Sequence, residues 1–85
     1  MAETLGDRMR MHRARLHLSQ GALGKEIGLS TNGVSLIENG DVDPRVSIVM
    51  AIANVLGVSM DYLLGRSDDP APPKRPRPRT TASVS

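Results

Sequence analysis

The regular spacing of helix-capping residues and glycines constrains the fold of this chain more than any other feature of its sequence. A serine, threonine or aspartate precedes each of five short segments, and such side chains accept hydrogen bonds from free N–H groups at a helix start. The five capping residues are Thr4, Ser19, Ser30, Asp43 and Ser59. Glycine, which ends helices at low cost, follows four of the segments. No stretch alternates with period two, so the sequence predicts an all-α fold of five helices.

The fourth segment carries a start signal and an unusually apolar surface. Asp43 is expected to cap this helix and Pro44 to occupy its first position, where a missing N–H costs little. Its inward stripe is expected to contain Val46, Val49, Ile52, Ala53 and Leu56. Ile48 and Val55 extend the stripe to one side and Met50 to the other. Two explanations stay open: the fifth helix covers this extra surface, or Ile48, Val55 and Met60 belong to a dimer interface.

The composition of the chain changes after Gly65. Residues 68–85 hold five of the six prolines and show no apolar periodicity, so they cannot bury enough surface to offset the entropy of ordering. We therefore predict a folded domain at residues 1–66 and a disordered, basic, Pro-rich tail at residues 67–85. The basic residues of the tail proper are Lys74, Arg75, Arg77 and Arg79. An extended arm of this kind suits DNA phosphates, whereas the plainer alternative is a solubilising linker.

Several classes of function are disfavoured by what the sequence lacks. The chain has no cysteine, which excludes disulfides and thiolate metal sites and fits a cytoplasmic protein. His12 and His17 are five residues apart and cannot share a helix face, so no metal is expected. No catalytic constellation or phosphate-cradling loop is present, so we expect neither an enzyme nor a cofactor. The uncharged run at residues 46–60 is 15 residues long, too short to span a membrane.

The second and third helices are joined by a tight turn, Gly28-Leu29-Ser30, that sets them at a steep angle. Apolar residues face one another across this turn and into the core: Leu23, Ile27, Val34 and Ile37. The outer face of the third helix then presents Thr31, Asn32, Ser35 and Leu36. A helix with a short polar front edge fits the major groove of DNA, where base edges carry the sequence.

The sequence resembles the Cro and phage-repressor (XRE-type) helix-turn-helix family over roughly residues 4–65. The resemblance rests on many positions at fixed spacing, which makes it more specific than a single motif. The matching residues are Leu18-Ser19-Gln20, Ile27-Gly28-Leu29-Ser30, Val34-Ser35-Leu36-Ile37-Glu38-Asn39-Gly40, Asp43-Pro44, Ile52-Ala53, Leu56-Gly57-Val58-Ser59 and Leu63-Leu64. The resemblance implies a five-helix, repressor-like DNA-binding domain.

The resemblance also implies roles for individual residues. The base-contacting positions would be Thr31, Asn32, Ser35 and Leu36. Gln20, at the start of the second helix, would hold a phosphate and support the base contacts, and Asn39 would hold a phosphate beyond the third helix. Arg13 and Glu38 would form a partly buried ion pair that ties the first helix to the third.

These expectations point to a sequence-specific regulator of transcription, most simply a repressor, acting as a homodimer on palindromic double-stranded DNA. Such a protein works in the cytoplasm, on the nucleoid, and does not involve a membrane. The alternative is an antitoxin or anti-regulator of the same fold, whose main partner is another protein. The apolar residues Ile48 and Val55, together with the tail, are the candidates for that second kind of contact.

Overall fold

Five α-helices make up the regular structure of residues 3–72. The computed structural model describes residues 3–72. Its helices are α1 (Leu5–Arg15), α2 (Gln20–Ile27), α3 (Thr31–Glu38), α4 (Val46–Leu56) and α5 (Met60–Leu63). Within this described part of the chain there is no strand. The predicted all-α, five-helix architecture is therefore confirmed.

Side-chain caps start four of the five helices, as the sequence predicts. Thr4 Oγ1 accepts the Asp7 N–H at 3.1 Å, and the Asp7 carboxylate accepts the Thr4 N–H at 3.2 Å. The hydroxyl oxygens of Ser19, Ser30 and Ser59 each accept a backbone N–H three residues further on, at 3.0 Å. Each cap of this kind typically stabilises a helix by about 1 kcal/mol. The hydrogen bond from the Thr4 backbone is also the main reason why the pKa of Asp7 lies below its ordinary value.

The start of α4 differs from the prediction. Arg45 flanks the helix without a side-chain cap and Val46 is its first residue, so the predicted cap at Asp43 and helical start at Pro44 are wrong. Pro44 is half-buried and lines a surface cavity with side chains of α1 and α5. Arg45 has an extended backbone (φ −71°, ψ 162°), so residues 43–45 stay outside the helix and the local capping preference is not realised. Val46, predicted to face inward, stands at the free end of the helix and is 66% exposed.

Helix α4 is central to the core and packs against α1, α2 and α5. Helix α3 packs against α1 and α2. Leu, Ile, Val and Met side chains fill the core, with Tyr62 as its single aromatic. Its members are Met9, Leu23, Ile27, Val34, Ile37, Val49, Ile52, Ala53, Leu56, Val58, Tyr62 and Leu63. Full burial of one such large aliphatic side chain contributes about 1.5–3 kcal/mol. The four residues predicted to meet across the turn between α2 and α3 all belong to this core.

A polar cluster that the sequence did not suggest joins α1 to the C-terminal part of the domain. Arg8 is 7% exposed, and its guanidinium lies 4.1 Å from the centroid of the Tyr62 ring. Arg8 donates to the backbone carbonyls of Tyr62 and Ser67 at 2.6 and 2.9 Å, and to the Asp68 carboxylate at 3.1 Å. The Glu3 carboxylate lies 3.2 Å from Arg8 Nε. These contacts fix the chain beyond α5 against α1.

Residues 66–72 form a C-terminal strap that lies against the helices. Besides the contacts with Arg8, the Ser59 N–H donates to the Pro70 carbonyl at 3.0 Å. The chain therefore turns back from the end of α5 towards its beginning. The sequence predicted a tail from residue 67, but residues 67–70 contact the domain. The tail's predicted phosphate-binding residues lie outside the described part of the chain: Lys74, Arg75, Arg77 and Arg79.

His12 makes this cluster sensitive to pH. It is 7% exposed, and its Nε2 lies 2.9 Å from the Tyr62 hydroxyl oxygen, with the two rings edge to face. Burial lowers the pKa of His12 below 6.5, and the charges of Arg15 and Arg8 lower it further, while Glu3 opposes them. The folded state therefore takes up the proton at lower pH than the unfolded state does. The contribution of neutral His12 to stability is therefore present above pH 6.5 and is lost as the pH falls below that value.

We expect the free energy of unfolding to decrease between pH 7 and pH 5, and His12→Gln to flatten this dependence. Glutamine can still bond the Tyr62 hydroxyl but does not titrate. Urea unfolding at a series of pH values measures the effect. Carboxylates such as Asp7, whose pKa is lowered from 3.8, titrate below this window. An equal slope in the protein and the variant would contradict the assignment to His12.

Candidate nucleic-acid interface

A sharp corner between α2 and α3, residues 20–38, presents the first turn of α3 at the surface. Gly28 ends α2 with φ +78°, in the left-handed region that favours glycine. A Cβ on Gly24 would collide with the backbone carbonyl of Leu29, so glycine at this position allows α2 and the turn to approach closely. Ser30 then caps α3. The corner is therefore set by backbone geometry and not by surface side chains.

The four side chains predicted for base contact lie on one side of α3, opposite the side that packs in the core. Thr31 and Asn32 are exposed, whereas Ser35 and Leu36 are half-buried. Neither Thr31 nor Asn32 donates or accepts a side-chain hydrogen bond within residues 3–72. Gly21 faces Thr31 across the corner, and a Cβ there would lie 2.9 Å from Thr31 Oγ1. The front of α3 thus offers unengaged polar groups on a fixed support.

The predicted ion pair lies directly beneath this surface. Arg13 Nε donates to Glu38 Oε2 at 2.9 Å and Arg13 Nη2 donates to Glu38 Oε1 at 3.1 Å, in a bidentate pair. The Glu38 side chain is fully buried, and that of Arg13 is 18% exposed. Arg13 Nη1 also donates to the Leu18 carbonyl at 2.9 Å. The pair joins α1, the connection to α2, and the last turn of α3.

Gln20 and Asn39 both lie near the C-terminal end of α3. Gln20 is half-buried at the start of α2, and its Nε2 donates to Glu38 Oε1 at 3.0 Å. Asn39 is exposed directly after α3, with Nδ2 3.4 Å from the Ser35 hydroxyl oxygen. Asn39 therefore contacts one of the predicted base-contact residues, whereas Gln20 contacts the buried Glu38. The hydrogen bond from Gln20 to Glu38 was not part of the sequence prediction.

Sequence analysis also missed Arg10, which contacts the C-terminal end of α3. Its Nη1 donates to the Glu38 backbone carbonyl at 3.2 Å and its Nη2 to the Asp7 carboxylate at 2.9 Å. A positive charge at a helix C-terminus is favourable because the last carbonyls carry partial negative charge. The Asp7–Arg10 spacing is visible in the sequence, but it indicates only an ordinary surface pair. The half-exposed guanidinium lies close to Asn39 and adds a cation beside the predicted phosphate contact.

The predicted dimer residues lie in different surroundings. Ile48 and Val55 are half-buried and pack against the core, so they present little free surface. Met60 is also half-buried but lines a groove between α4 and α5 together with Met50 and Val58. Met50 is 50% exposed. The structure therefore places Met60 beside Met50, which is the more exposed of the two.

Two further features of the described residues concern other kinds of site. Between residues 3 and 72 there is no group of three His, Cys, Asp or Glu side chains with the arrangement needed to hold a metal ion. In the same part of the chain, no helix is long and apolar enough to cross a lipid bilayer. The polar face of α3 and the two amides near its C-terminal end remain the best-formed candidate for a binding surface.

The arrangement of α2, the glycine-containing turn and the exposed polar α3 defines a helix-turn-helix domain. The chain belongs to the helix-turn-helix family, whose model matches residues 9–63. The match includes Arg13, the whole corner and α4. The membership predicted from the residues is therefore confirmed.

Curated relatives of this chain are regulators of transcription. It is 36% identical over 62 residues to the repressor protein C2 of Salmonella phage P22, covering 73% of this chain and 29% of that protein. It is 35% identical over 72 residues to the HTH-type transcriptional regulator DicA of Escherichia coli K12, covering 82% of this chain and 53% of DicA. The chain thus spans about a third of the first relative and about half of the second.

The fold is also similar to that of a solved repressor structure. The P22 c2 repressor, in a crystal structure with the synthetic operator 9T, matches with a TM-score of 0.74 and 33% sequence identity. The match covers 78% of this chain and all of that chain. The repressor-like, five-helix architecture is therefore shared with a domain that has been seen on operator DNA.

We expect Arg13→Ala to lower the free energy of unfolding by about 3–5 kcal/mol, because it leaves the buried Glu38 carboxylate without its main partner. Chemical denaturation at pH 7 measures the change. The matched control replaces both charges, Arg13→Met with Glu38→Leu. An apolar replacement of a buried pair is often close to neutral, so this double variant should remain folded. A single variant as stable as the unchanged protein would show that the pair is not structural.

Proposed function

We propose that this chain is a sequence-specific, double-stranded DNA-binding regulator of transcription, and that it represses. Its DNA-binding domain would be residues 1–66. The observation that carries this proposal is the set of exposed polar side chains at the front of α3 that make no hydrogen bond within residues 3–72. Packing between α2 and α3 holds this surface in place. The relatives are a repressor and an HTH-type transcriptional regulator, and a similar domain binds a synthetic operator. The proposal assigns no catalytic reaction or cofactor, and it places the protein in the cytoplasm, on the nucleoid.

Base recognition in this proposal comes from the front of α3 in the major groove. Asn32 suits adenine, which its amide can bond twice at N6 and N7. The hydroxyls of Thr31 and Ser35 can donate to or accept from several base edges, and Leu36 can contact a thymine methyl. The exposure of Thr31 and Asn32 favours them as the principal contacts, with Ser35 and Leu36 deeper in the interface.

Phosphate contacts in this proposal come from two amides. Gln20, at the start of α2, would bind the backbone, as would Asn39, directly after α3, with Arg10 close to Asn39. Neutral amides contribute position more than electrostatic attraction. The described residues hold seven basic and nine acidic side chains, so the basic residues of the tail (Lys74, Arg75, Arg77, Arg79) are proposed to supply most of the salt-dependent attraction.

We further propose that the protein acts as a homodimer on a two-fold operator. Two recognition helices about 34 Å apart would enter successive major grooves on one face of the DNA. The groove between α4 and α5 is the surface that we assign to the contact, with Met50 and Met60 at its centre. Met50 is 50% exposed there, whereas Met60, like Ile48 and Val55, is half-buried against the core.

Selection of bound DNA from a random duplex library tests the base-contact surface. We expect the protein to select a palindromic motif, and an Asn32→Ala/Ser35→Ala variant to lose it. Loss of a bidentate amide–base contact costs about 1–3 kcal/mol of discrimination. The control is Ser47→Ala, which changes an exposed polar side chain of α4 outside the groove between α4 and α5.

The two outcomes of this selection separate the candidate functions. A motif that survives in the α3 variant but not in the α4 control would contradict recognition by α3. Binding without any sequence preference, and strongly weakened by salt, would leave the tail as the main DNA contact. That result would favour the alternative, an antitoxin or anti-regulator, whose main partner is another protein.

We expect Met50→Lys to shift the protein from dimer to monomer without unfolding it, because a charge would replace apolar surface at the centre of the contact. Sedimentation velocity over a range of concentrations measures the change. Ala14→Lys, which adds the same charge at an exposed position of α1, serves as the control. An unchanged dimer in Met50→Lys would place the contact elsewhere on the domain.

A further inference from the structure

The buried carboxylate of Glu38 serves two helices besides its own. Its Oε2 accepts from Arg13 Nε, and its Oε1 accepts both from Arg13 Nη2 at 3.1 Å and from Gln20 Nε2 at 3.0 Å. The side chain has no exposed surface. Water therefore does not compete for these bonds, and Gln20 is bonded to a fully desolvated charge. Hydrogen bonds to charged groups are stronger than those between neutral ones.

The chemistry of a carboxylate decides which way round the Gln20 amide lies. An ionised carboxylate only accepts hydrogen bonds, so it must face the NH2 group of Gln20 and not the carbonyl. One amide N–H is thus engaged, and one N–H and the carbonyl oxygen remain. A free glutamine side chain samples many rotamers, and fixing such a side chain at an interface costs about 0.5–1.5 kcal/mol. The hydrogen bond to Glu38 already restricts the Gln20 side chain in the free protein, so less of its freedom is lost when a ligand binds.

We propose that Glu38 is a positioning residue for DNA binding: it holds the Gln20 amide so that its remaining N–H meets a phosphate oxygen. The ion pair that joins α1 to α3 then also sets the affinity for DNA. This inference rests on the proposed function, in which the start of α2 faces the DNA backbone. Glu38 is fully buried and cannot contact DNA itself, so its effect on the affinity for DNA would act only through Gln20.

A contact of this kind has a distinctive salt dependence. Counterions are released from DNA when cationic side chains neutralise phosphates, and each such contact changes the logarithmic salt slope by about 0.9. The Gln20 amide is neutral and releases none. Loss of the positioned amide should therefore weaken binding by the same factor at low and at high salt.

Binding by four proteins to a duplex with one selected half-site tests the proposal. They are the unchanged chain, Arg13→Met/Glu38→Leu, Gln20→Met and the triple variant. We expect the Arg13–Glu38 replacement to weaken binding about five- to tenfold when Gln20 is present, and less than twofold when residue 20 is Met. Circular dichroism checks that each protein is folded, and titrations at two salt concentrations give the slope.

A measurement on the unchanged protein keeps the proposal testable if a variant does not fold. The two side-chain amide protons of Gln20 give separate NMR signals. We expect one to be shifted by its hydrogen bond to Glu38 in the free protein and to stay so on addition of the duplex. The other should move on binding. Equal movement of both signals, or two equivalent signals in the free protein, would overturn the proposal.

The outcomes also separate this inference from the proposed function. If Gln20→Met weakens binding and the Arg13–Glu38 replacement weakens it equally in both backgrounds, Glu38 does not act through Gln20 and the inference is wrong. A lowered salt slope in the replacement would assign the effect to a direct contact by Arg13, which also overturns it. If none of the variants changes binding while Asn32→Ala abolishes it, α3 still binds DNA and only the positioning role fails. No sequence-specific binding by the unchanged chain would contradict the proposed function itself.

Discussion

The bonds of Glu38 are the interaction on which the arrangement of α1, α2 and α3 depends. A carboxylate buried without partners costs several kcal/mol, so it can be kept only where donors converge on it. Here Arg13 reaches it from α1 and Gln20 from α2. The same residue's backbone carbonyl accepts from Arg10, and a Cβ on Gly6 would collide with it. The end of α3 is thus fixed through both its side chain and its backbone.

A second arginine of α1 contacts a different part of the domain. Arg13 faces α3, whereas Arg8 lies against Tyr62 and holds the C-terminal strap. Residues five apart on a helix point to different sides, so α1 connects the recognition corner to the last part of the domain. Loss of Arg13 would therefore remove contacts with the α1–α2 connection and α3, whereas loss of Arg8 would remove contacts with the C-terminal strap.

The sequence predicted what local chemistry determines. Caps at Thr4, Ser19, Ser30 and Ser59 and the glycine at position 28 were visible because each acts on its own backbone neighbours. The start of α4 was misplaced because Arg45 is extended and the helix begins only at Val46, which the local signal of Asp43 and Pro44 does not show. The hydrogen bond from Gln20 to Glu38 could not be predicted, since no rule of spacing relates a residue of α2 to one of α3 across a turn. The contacts of Arg8 span 54 to 60 residues of sequence and were likewise invisible.

The absence of side-chain hydrogen bonds from Thr31 and Asn32 to the rest of residues 3–72 has a consequence for how such a domain can diverge. Because the scaffold does not depend on these two side chains, a lineage could exchange them at little cost in stability. Arg13 and Glu38 are coupled instead, because a change at either one leaves the charge of the other without its partner. In the proposed function, new target sequences are therefore accessible by single substitutions at the front of α3, while the buried Arg13–Glu38 pair changes only in concert.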